Sequence, residues 1–452
     1  MKSINSKVPV LLTSGNPAKR IILFALPILF EHFLQIFYTM TDAFIVGRWL
    51  GINGLAAVGV CYSIIGFVFG FIFGLTGGFA VITAQRVGAG EAEGIRRSVA
   101  AGLSLTLFSG IVITALLLPL CRPILAVMHT PAEIIYDASV YVMLIISGSL
   151  AGLFFNMMSG IIRAGGDSFS PLFFLIIGAV ANITLDILCI VVFSWGIRGA
   201  AAATVFSELI SAILIFRFLI RRFPHFLPKR QDWLAGRRDY GIHLSLGIAM
   251  GLQQSIVEIG NILVQAAING LGALTIAAVS AAQRVRGLNM MPLFTVSRAM
   301  TTYTAQNYGA GKMDRVYKGI FQACLISLGL GVFMAILNQF TGASIVALFL
   351  KDNPEAVALA QRYILYTGYT VFILGIMLVF RSSLQGLGMR RAPILCGIME
   401  TVMSILAAFI LIPRLGFTGV CLVNPLSWLA SGIPLYIAFG IFRKKQTVFK
   451  IE

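Results

Sequence analysis

Charged residues are scarce in this chain of 452 residues, where they make up 11% of the sequence. Ordinary soluble domains carry roughly 25% charged residues. Hydrophobic residues account for 58%, and a soluble globule could not bury that much apolar surface. The composition therefore excludes a soluble enzyme, a DNA-binding module and a disordered scaffold, and it indicates an integral membrane protein.

The sequence also lacks the short motifs that accompany most catalysis and metal binding. It holds six cysteines and four histidines, but no C-x-x-C pair and no two histidines at metal-ligand spacing. It contains no phosphate-binding G-x-x-x-x-G-K-[ST] loop, no G-x-S-x-G and no H-E-x-x-H. We therefore expect neither an enzyme nor a resident cofactor. Any energy must then come from an ion gradient or from a partner, and we expect that no ATPase partner is required.

Long apolar runs are what the sequence does contain. A transmembrane helix needs about 20 mostly apolar residues, and this criterion predicts twelve spans. The predicted spans are 21–46, 51–82, 96–119, 138–162, 171–194, 199–221, 242–269, 273–303, 319–348, 360–386, 393–412 and 417–442.

Basic residues outnumber acidic ones, with 34 Lys and Arg against 17 Asp and Glu. If the N-terminus is cytoplasmic, the cytoplasmic loops hold 24 of these Lys and Arg and the opposite loops hold 6. Cytoplasmic loops of membrane proteins are enriched in Lys and Arg. The sequence therefore predicts that both termini are cytoplasmic. The net charge of +17 then reflects membrane topology and not a nucleic-acid partner.

One octapeptide recurs in the second half of the chain. Thr83–Gly90 reads TAQRVGAG, and Thr304–Gly311 reads TAQNYGAG. Arg163–Gly166 corresponds to Gln385–Gly388 at a separation that differs by a single position from that of the octapeptides. A spacing that holds at separate places indicates an internal duplication.

The duplication predicts an all-α architecture of two pseudo-symmetric lobes with six transmembrane helices each. The predicted N-lobe covers residues 1–220, a cytoplasmic linker covers 221–240 and the C-lobe covers 241–452. Six is an even number, so both lobes enter the membrane from the same side. Parallel repeats of this kind are a transporter architecture with the substrate cavity between the halves.

Polar side chains within the first lobe are the main candidates for ion coupling. A charge near the bilayer centre costs about 2.5–3.5 kcal/mol on insertion scales, so it usually serves a function. The spacing puts these side chains on one face of each helix. Their oxygen atoms suit an alkali cation or a stored proton, although each could also be a solitary residue hydrogen-bonded for helix packing. They are Gln35, Tyr38 and Asp42 in the first span, Asn182 and Asp186 in the fifth, and Thr204 and Glu208 in the sixth.

The seventh span carries a second polar stripe, Gln254, Glu258 and Asn261, which should face the cavity. Glu258 could hold a cationic substrate or a second coupling ion. It could equally pair with Arg286 of the eighth span, which is itself a candidate for the cavity.

Two residues of the first span raise separate questions. Pro27 removes a backbone hydrogen bond and permits a kink, so the helix could bend there as a gate or hold a static kink. Glu31 lies near the cytoplasmic end, where we expect a partly solvated surface charge.

These features resemble the multidrug and toxic compound extrusion (MATE) transporters. The resemblance covers nearly the whole chain. Its motifs are Asp42–Gly47, the paired segments Gln85–Gly90 and Gln306–Gly311, and the glycine turns Gly165–Asp167 and Gly386–Gly388.

The resemblance implies a pair of six-helix lobes that exports organic cations against a proton or sodium gradient. In one branch of the family, an N-lobe ion site uses positions that match Asp42, Asn182, Asp186 and Thr204, so Na⁺ is a candidate ligand of these four residues. Another branch uses a helix 7 glutamate that matches Glu258 and a Tyr-x-x-x-Asp pair on helix 10. The tenth span here has tyrosines but no Asp, which favours the N-lobe site.

The leading hypothesis is thus an efflux antiporter in the plasma or inner membrane of a prokaryote. It would act as a monomer, with organic cations and membrane lipid as its partners. The alternatives are a flippase or exporter of lipid-linked sugars or polysaccharide, and an intramembrane enzyme that uses paired aspartates as acid and base. A flippase would need cationic residues for phosphate, and Arg286 is one candidate.

Overall fold

The computed structural model describes residues 12–234, 236–350 and 353–448. These ranges are almost entirely helical and contain no β-strand. The predicted all-α class is thus confirmed. It suits a membrane protein, because a helix satisfies its own backbone hydrogen bonds within lipid. The helices are α1 Pro17–Trp49, α2 Gly51–Ala89, α3 Ala92–Leu117, α4 Cys121–Val127, α5 Ala132–Ala164, α6 Phe169–Asp186, α7 Ile197–Arg222, α8 Arg237–Asn269, α9 Ala273–Gly309, α10 Met313–Ala347, α11 Pro354–Gly386, α12 Arg391–Leu406, α13 Ile412–Leu415 and α14 Phe417–Val448.

All twelve predicted spans coincide with helices of this structure. Within the described ranges, eleven helical stretches are long and apolar enough to cross a membrane. The remaining predicted span, 273–303, corresponds to α9, a helix of 37 residues that carries Arg284, Arg286 and Arg298. Several helices start earlier than predicted; α10, for example, begins at Met313 and not at residue 319. Helical hydrogen bonding continues beyond the apolar core into polar turns, which hydropathy alone does not detect.

The described chain forms two compact units. The N-unit contains residues 26–251, and the C-unit combines residues 12–25 with residues 252–448. The predicted linker 221–240 holds two short 3₁₀ turns, Pro224–Phe226 and Arg230–Leu234. The predicted lobes also include residues 1–11, 351–352 and 449–452, and the predicted linker includes residue 235; all of these lie outside the described residues.

The two halves repeat one another in backbone detail. Gly90 follows α2 with φ 71°, and Gly311 follows α9 with φ 69°. This left-handed conformation is easily reached only by glycine, which explains why the recurring octapeptide ends in Gly in both copies. A π-helical segment also follows α6 at Ile187–Val192 and recurs after α12 at Ala407–Leu411. The predicted duplication is thus present in the backbone conformation as well as in the amino-acid sequence.

The segment before α1 docks within the C-unit against the second copy of the octapeptide. The Leu12 N–H donates to Gln306 Oε1 at 2.8 Å, and Asn307 Nδ2 donates to the Leu12 carbonyl at 3.3 Å. Arg315 Nη1 donates to the Gly15 carbonyl at 2.8 Å. We call residues 12–16 the C-unit strap. Its backbone is held by side chains of α9 and α10, so α1 starts from a fixed point in the C-unit.

The segment before α8 docks within the N-unit in a related manner. Asp232 is buried and accepts from Arg96 Nε at 2.9 Å and from the Lys229 N–H at 2.8 Å. Burial acts to raise the pKa of Asp232, but the Lys229 N–H and the Arg96 guanidinium outweigh it, so this pKa lies below its ordinary value of 3.8. A second contact joins α3 to α8, where Ser98 Oγ and His243 Nε2 lie 2.7 Å apart. We call residues 229–234 the N-unit strap.

Glycines on α2 and α8 let these helices touch within the N-unit. A Cβ on Gly74 would lie 2.6 Å from the Cα of Gly251. A Cβ on Gly78 would lie 2.6 Å from the Cα of Gly247. Two facing G-x-x-x-G patterns allow the close backbone approach that small residues provide in membrane helices. This contact explains why the first half of α8 belongs to the N-unit.

Candidate ion and substrate sites

Two aspartates meet inside the N-unit. Asp42 of α1 is 4% exposed and Asp186 at the end of α6 is fully buried. Their carboxyl groups are close enough to interact directly. Two carboxyl groups can form a hydrogen bond with one another only if one of them carries a proton. The sequence-predicted pair is therefore brought together in an arrangement that favours one shared cation over two bare charges.

Asn182 lies one turn before Asp186 on α6 and is also fully buried. Among the described residues, no hydrogen-bond partner is found for Asp42 Oδ1, for either carboxyl oxygen of Asp186, or for the two polar atoms of the Asn182 amide. Buried polar atoms without partners are rare in native proteins and each needs an explanation. Carboxylate and amide oxygens are hard ligands, so these unpartnered atoms fit a bound proton or an alkali cation.

Thr204 and Tyr38 adjoin the aspartates from α7 and α1. Tyr38 Oη donates to Thr204 Oγ1 at 3.4 Å, and Thr204 Oγ1 donates to the Ala200 carbonyl at 3.1 Å. Tyr38 also lies within electrostatic range of Asp42 and Asp186. The structure thus brings the predicted Tyr38 and Thr204 into the cluster, although the described bonds of Thr204 go to Tyr38 and Ala200 and not to a carboxylate.

Glu208, one turn beyond Thr204 on α7, extends the acidic cluster. It lies within electrostatic range of Tyr38. A Cβ on Gly152 of α5 would lie 2.9 Å from Glu208 Oε2, so the absence of a side chain there makes room for this carboxylate. Gln35, by contrast, is exposed on α1.

Glu31 is not the partly solvated surface charge that the sequence suggested. It is 8% exposed, and Arg163 Nη2 donates to its Oε2 at 2.7 Å. Arg163, which lies just beyond the predicted span 138–162, is inside α5. Glu31 is buried because helix α5 continues to Ala164, so that Arg163 lies within the helix and contacts Glu31, a partner that is distant in sequence. Pro27 lies one turn before Glu31 in a continuous α1, just after the N-unit begins at Leu26.

The polar stripe of α8 lies on an exposed face of the C-unit. Gln254, Glu258 and Asn261 are all exposed, and Asn261 Nδ2 donates to Glu258 Oε2 at 3.2 Å. No ion pair joins Glu258 to Arg286 among the described residues. The pairing that the sequence left open is thus not formed in this structure.

Arg286 instead joins a polar group that the sequence reading missed. Its Nη1 donates to Asn424 Oδ1 of α14 at 2.8 Å, and Asn424 Nδ2 donates to Tyr363 Oη of α11 at 3.0 Å. Glu400 of α12 lies within electrostatic range of Arg286 and Glu258. A lone Asn inside the last apolar span was the available signal, because an amide in lipid needs a partner.

Metal binding by several side chains is not a feature of the described ranges. They contain no group of three or more His, Cys, Asp or Glu that could hold a metal ion. All six cysteines are free. The Asp42–Asp186 pair with the Asn182 amide is the smaller donor set described above.

Comparison with known proteins identifies a family. The MatE family model matches the chain twice, over residues 27–188 and 249–410. The two matches start at residues 27 and 249, which are as far apart as Arg163 and Gln385 of the internal repeat. The matches cover most of both halves of the chain.

Individual relatives agree with this match. The probable multidrug resistance protein YpnP of Bacillus subtilis is 27% identical over 378 residues, which cover 83% of this chain and 84% of that protein. An FAD transporter of Shewanella oneidensis is 23% identical over 431 residues, covering 93% and 94%. A crystal structure of MATE in the bent conformation has a TM-score of 0.89 at 21% identity, covering 99% of this chain and 100% of that chain. The structural match shows the shared fold of twelve transmembrane helices in two lobes.

Proposed function

Because this chain belongs to the MATE family of multidrug efflux transporters, we propose that it is a secondary active antiporter. It exports amphipathic organic cations in exchange for H⁺ or Na⁺. The observation that carries this proposal is that Asp42 and Asp186 are buried next to one another, and that Asp42 Oδ1 and both carboxyl oxygens of Asp186 bond to no described residue. A multi-pass membrane transporter with such a cluster has a place to load a cation without ATP.

Ion loading follows from the electrostatics of the cluster. Two like charges close together in a medium of low dielectric repel one another strongly. A proton on one carboxyl lets it donate to the other, and a sodium ion between them offsets both charges. In either case Asn182 Oδ1 supplies a further neutral ligand. The donor set fits both ions, so the choice between H⁺ and Na⁺ is a matter for the experiment below.

Loading drives export only if the ion and the drug favour different conformations. A ligand shifts an equilibrium by no more than its difference in affinity for the two states. Entry of the coupling ion at Asp42 stabilises the state that releases drug outside, and ion release inside resets the transporter. Pro27 is a candidate bending point for α1, since its ring removes one helical hydrogen bond.

The remaining parts of the proposal concern setting and substrate contacts. The transporter works as a monomer in the plasma or inner membrane of a prokaryote. Transport requires neither a cofactor nor an ATPase, and membrane lipid surrounds the protein. Glu258, with Asn261 and Gln254 on the same exposed face of α8, is a candidate contact for the cationic group of the substrate.

The decisive experiment uses the purified protein in liposomes loaded with a fluorescent lipophilic cation. A pH gradient and a sodium gradient are imposed separately, and dye movement is recorded for wild type and Asp42→Asn. We expect one gradient to drive dye transport in wild type and none to do so in the variant. Glu93→Gln is the matched control, because Glu93 pairs with Arg97 on the exposed surface of α3. Dye that does not move under either gradient in wild type would refute the antiporter.

A second function remains a candidate because Arg286 is held in the C-unit by neutral partners. A flippase or exporter of lipid-linked sugars needs such a cation for the substrate phosphate. Labelled lipid-linked sugars in the same liposomes test it. Movement of these lipids without dye transport would replace the drug-export proposal with this one.

A further inference from the structure

Arg286 is fixed from one side without being neutralised. Asn424 accepts from its Nη1 at 2.8 Å and passes a hydrogen bond to Tyr363 Oη at 3.0 Å. Tyr363 is buried, which gives the chain of bonds a rigid end in α11. Both supporting side chains are neutral, so the full positive charge of the guanidinium persists.

The other edge of the guanidinium has no such support. The Nε atom is buried and bonds to no described residue, and the bond to Asn424 is the one hydrogen bond of Arg286 within the described ranges. Nε and Nη2 together form the side-on edge with which arginine binds carboxylate or phosphate in a bidentate manner. The buried Nε edge therefore has no partner among the described residues, while Nη1 anchors the guanidinium on Asn424.

Glu400 is the acidic group of the C-unit that could compete for this edge. It lies within electrostatic range of Arg286, Arg381 and Glu258. No ion pair within 4.0 Å joins Glu400 to Arg286 among the described residues. Its charge is also shared with Arg381, so Glu400 does not by itself satisfy the Arg286 guanidinium.

We propose that the Nε edge of Arg286 binds an oxyanion, a carboxylate or a phosphate, of the molecule that the transporter carries. This inference rests on the proposed export of amphipathic cations and narrows its substrate class. The preferred substrates carry an anionic group as well as a cationic one. The anion meets Arg286 in the C-unit, and Asn424 and Tyr363 are positioning residues that orient the guanidinium.

The test is equilibrium binding to purified full-length protein, measured without any gradient. The probes are a cationic rhodamine with a free carboxylate and the methyl ester of the same dye, followed by fluorescence anisotropy. The two dyes differ in the oxyanion alone. We expect wild type to bind the acid more tightly than the ester. Arg286→Gln should weaken binding of the acid about tenfold to a hundredfold, as expected for a charge-assisted pair, and leave the ester within about twofold.

Two further variants keep the test decisive. Arg286→Lys retains the charge but cannot bind in a bidentate manner, so it should regain only part of the preference for the acid. Arg284→Gln is the matched control, because Arg284 stacks on Phe349 at 5.6 Å and not on the Asn424 group. An acid-to-ester ratio that is equal in wild type and Arg286→Gln, or equal in wild type and Arg286→Lys, would overturn the proposal.

A competition experiment then identifies the source of the oxyanion. Short-chain phosphatidylglycerol is added to the bound acid dye, with a short-chain diacylglycerol, which lacks a phosphate, as the comparison. Displacement by phosphatidylglycerol that depends on Arg286 assigns the edge to a lipid phosphate, and no displacement assigns it to the substrate carboxylate. Because no gradient is applied, a failure of antiport in the liposome experiment leaves this result intact.

Discussion

The N-unit and the C-unit place different chemistry at the same positions of the repeat. In the N-unit, Glu31 and Arg163 form a buried ion pair at 2.7 Å. In the C-unit, the equivalent positions are Gln253 and Gln385, which form a neutral amide bond at 3.3 Å. The contact between the two helices has thus survived duplication while its charges have not. It follows that the scaffold needs a polar bond at this place, and that the ion pair is particular to the N-unit.

The ion cluster shows the same divergence. Tyr141 and Tyr363 occupy equivalent positions of the repeat and are buried in both copies. Tyr141 lies within electrostatic range of Asp42, whereas Tyr363 supports the group that holds Arg286. The position of Asp186 is occupied by the apolar Ala408 in the C-unit. One copy therefore concentrates carboxylates suited to a cation, and the other presents a guanidinium suited to an anion.

The largest expected effect comes from making the N-unit resemble the C-unit at Asp186. Asp186→Asn removes one of the two interacting carboxyls while keeping the volume, so gradient-driven dye export should fall to the level of empty liposomes. The reciprocal change, Ala408→Asp, should not restore export when combined with Asp186→Asn, because the C-unit has no counterpart of Asp42. Transport rates in liposomes check both variants. Restored export in the double variant would show that the two units are interchangeable for coupling.

The buried ion pair gives the next largest effect, this time on stability. Arg163→Gln leaves Glu31 as an uncompensated buried charge, and breaking such a pair costs about 3–5 kcal/mol. The double variant Glu31→Gln with Arg163→Gln recreates the amide pair of the C-unit and should recover most of that loss. Thermal unfolding in one detergent measures both.

The matched control for that series is Gln385→Ala in the C-unit. It removes a neutral hydrogen bond and should cost about 1–3 kcal/mol at most. A double variant no more stable than Arg163→Gln alone would mean that the N-unit requires the charges themselves, and the comparison of the two pairs would fail.

Local patterns in the sequence carried much of the fold and part of the site. Apolar run length found the twelve helices, and the recurring octapeptide found the duplication, because both are properties of contiguous residues. Asp186 and Asn182 followed from their spacing of four on one helix. The Glu31–Arg163 and Arg286–Asn424 contacts join residues more than a hundred positions apart. Such contacts depend on how helices pack, so no local period could reveal them.

The smallest expected effect separates the two straps by their response to acid. The N-unit strap depends on the Asp232 carboxylate, whose pKa is lowered below 3.8 by the Lys229 N–H and Arg96 against the opposing effect of burial. A lowered pKa in the folded state means that this stabilisation is present above the unfolded value and is lost as the pH falls through the folded value. The C-unit strap is held by Arg315 on backbone carbonyls, which do not titrate there.

Acidification below about pH 3.8 should therefore release residues 229–234 before residues 12–16. Hydrogen exchange, corrected for the intrinsic effect of pH on the exchange rate, would show this as a selective loss of protection in the N-unit strap. Asp232→Asn should weaken that strap at neutral pH and remove its acid response, because no charge remains to be neutralised. Equal loss of protection in both straps would place the acid-sensitive group elsewhere in the fold and remove this difference between the units.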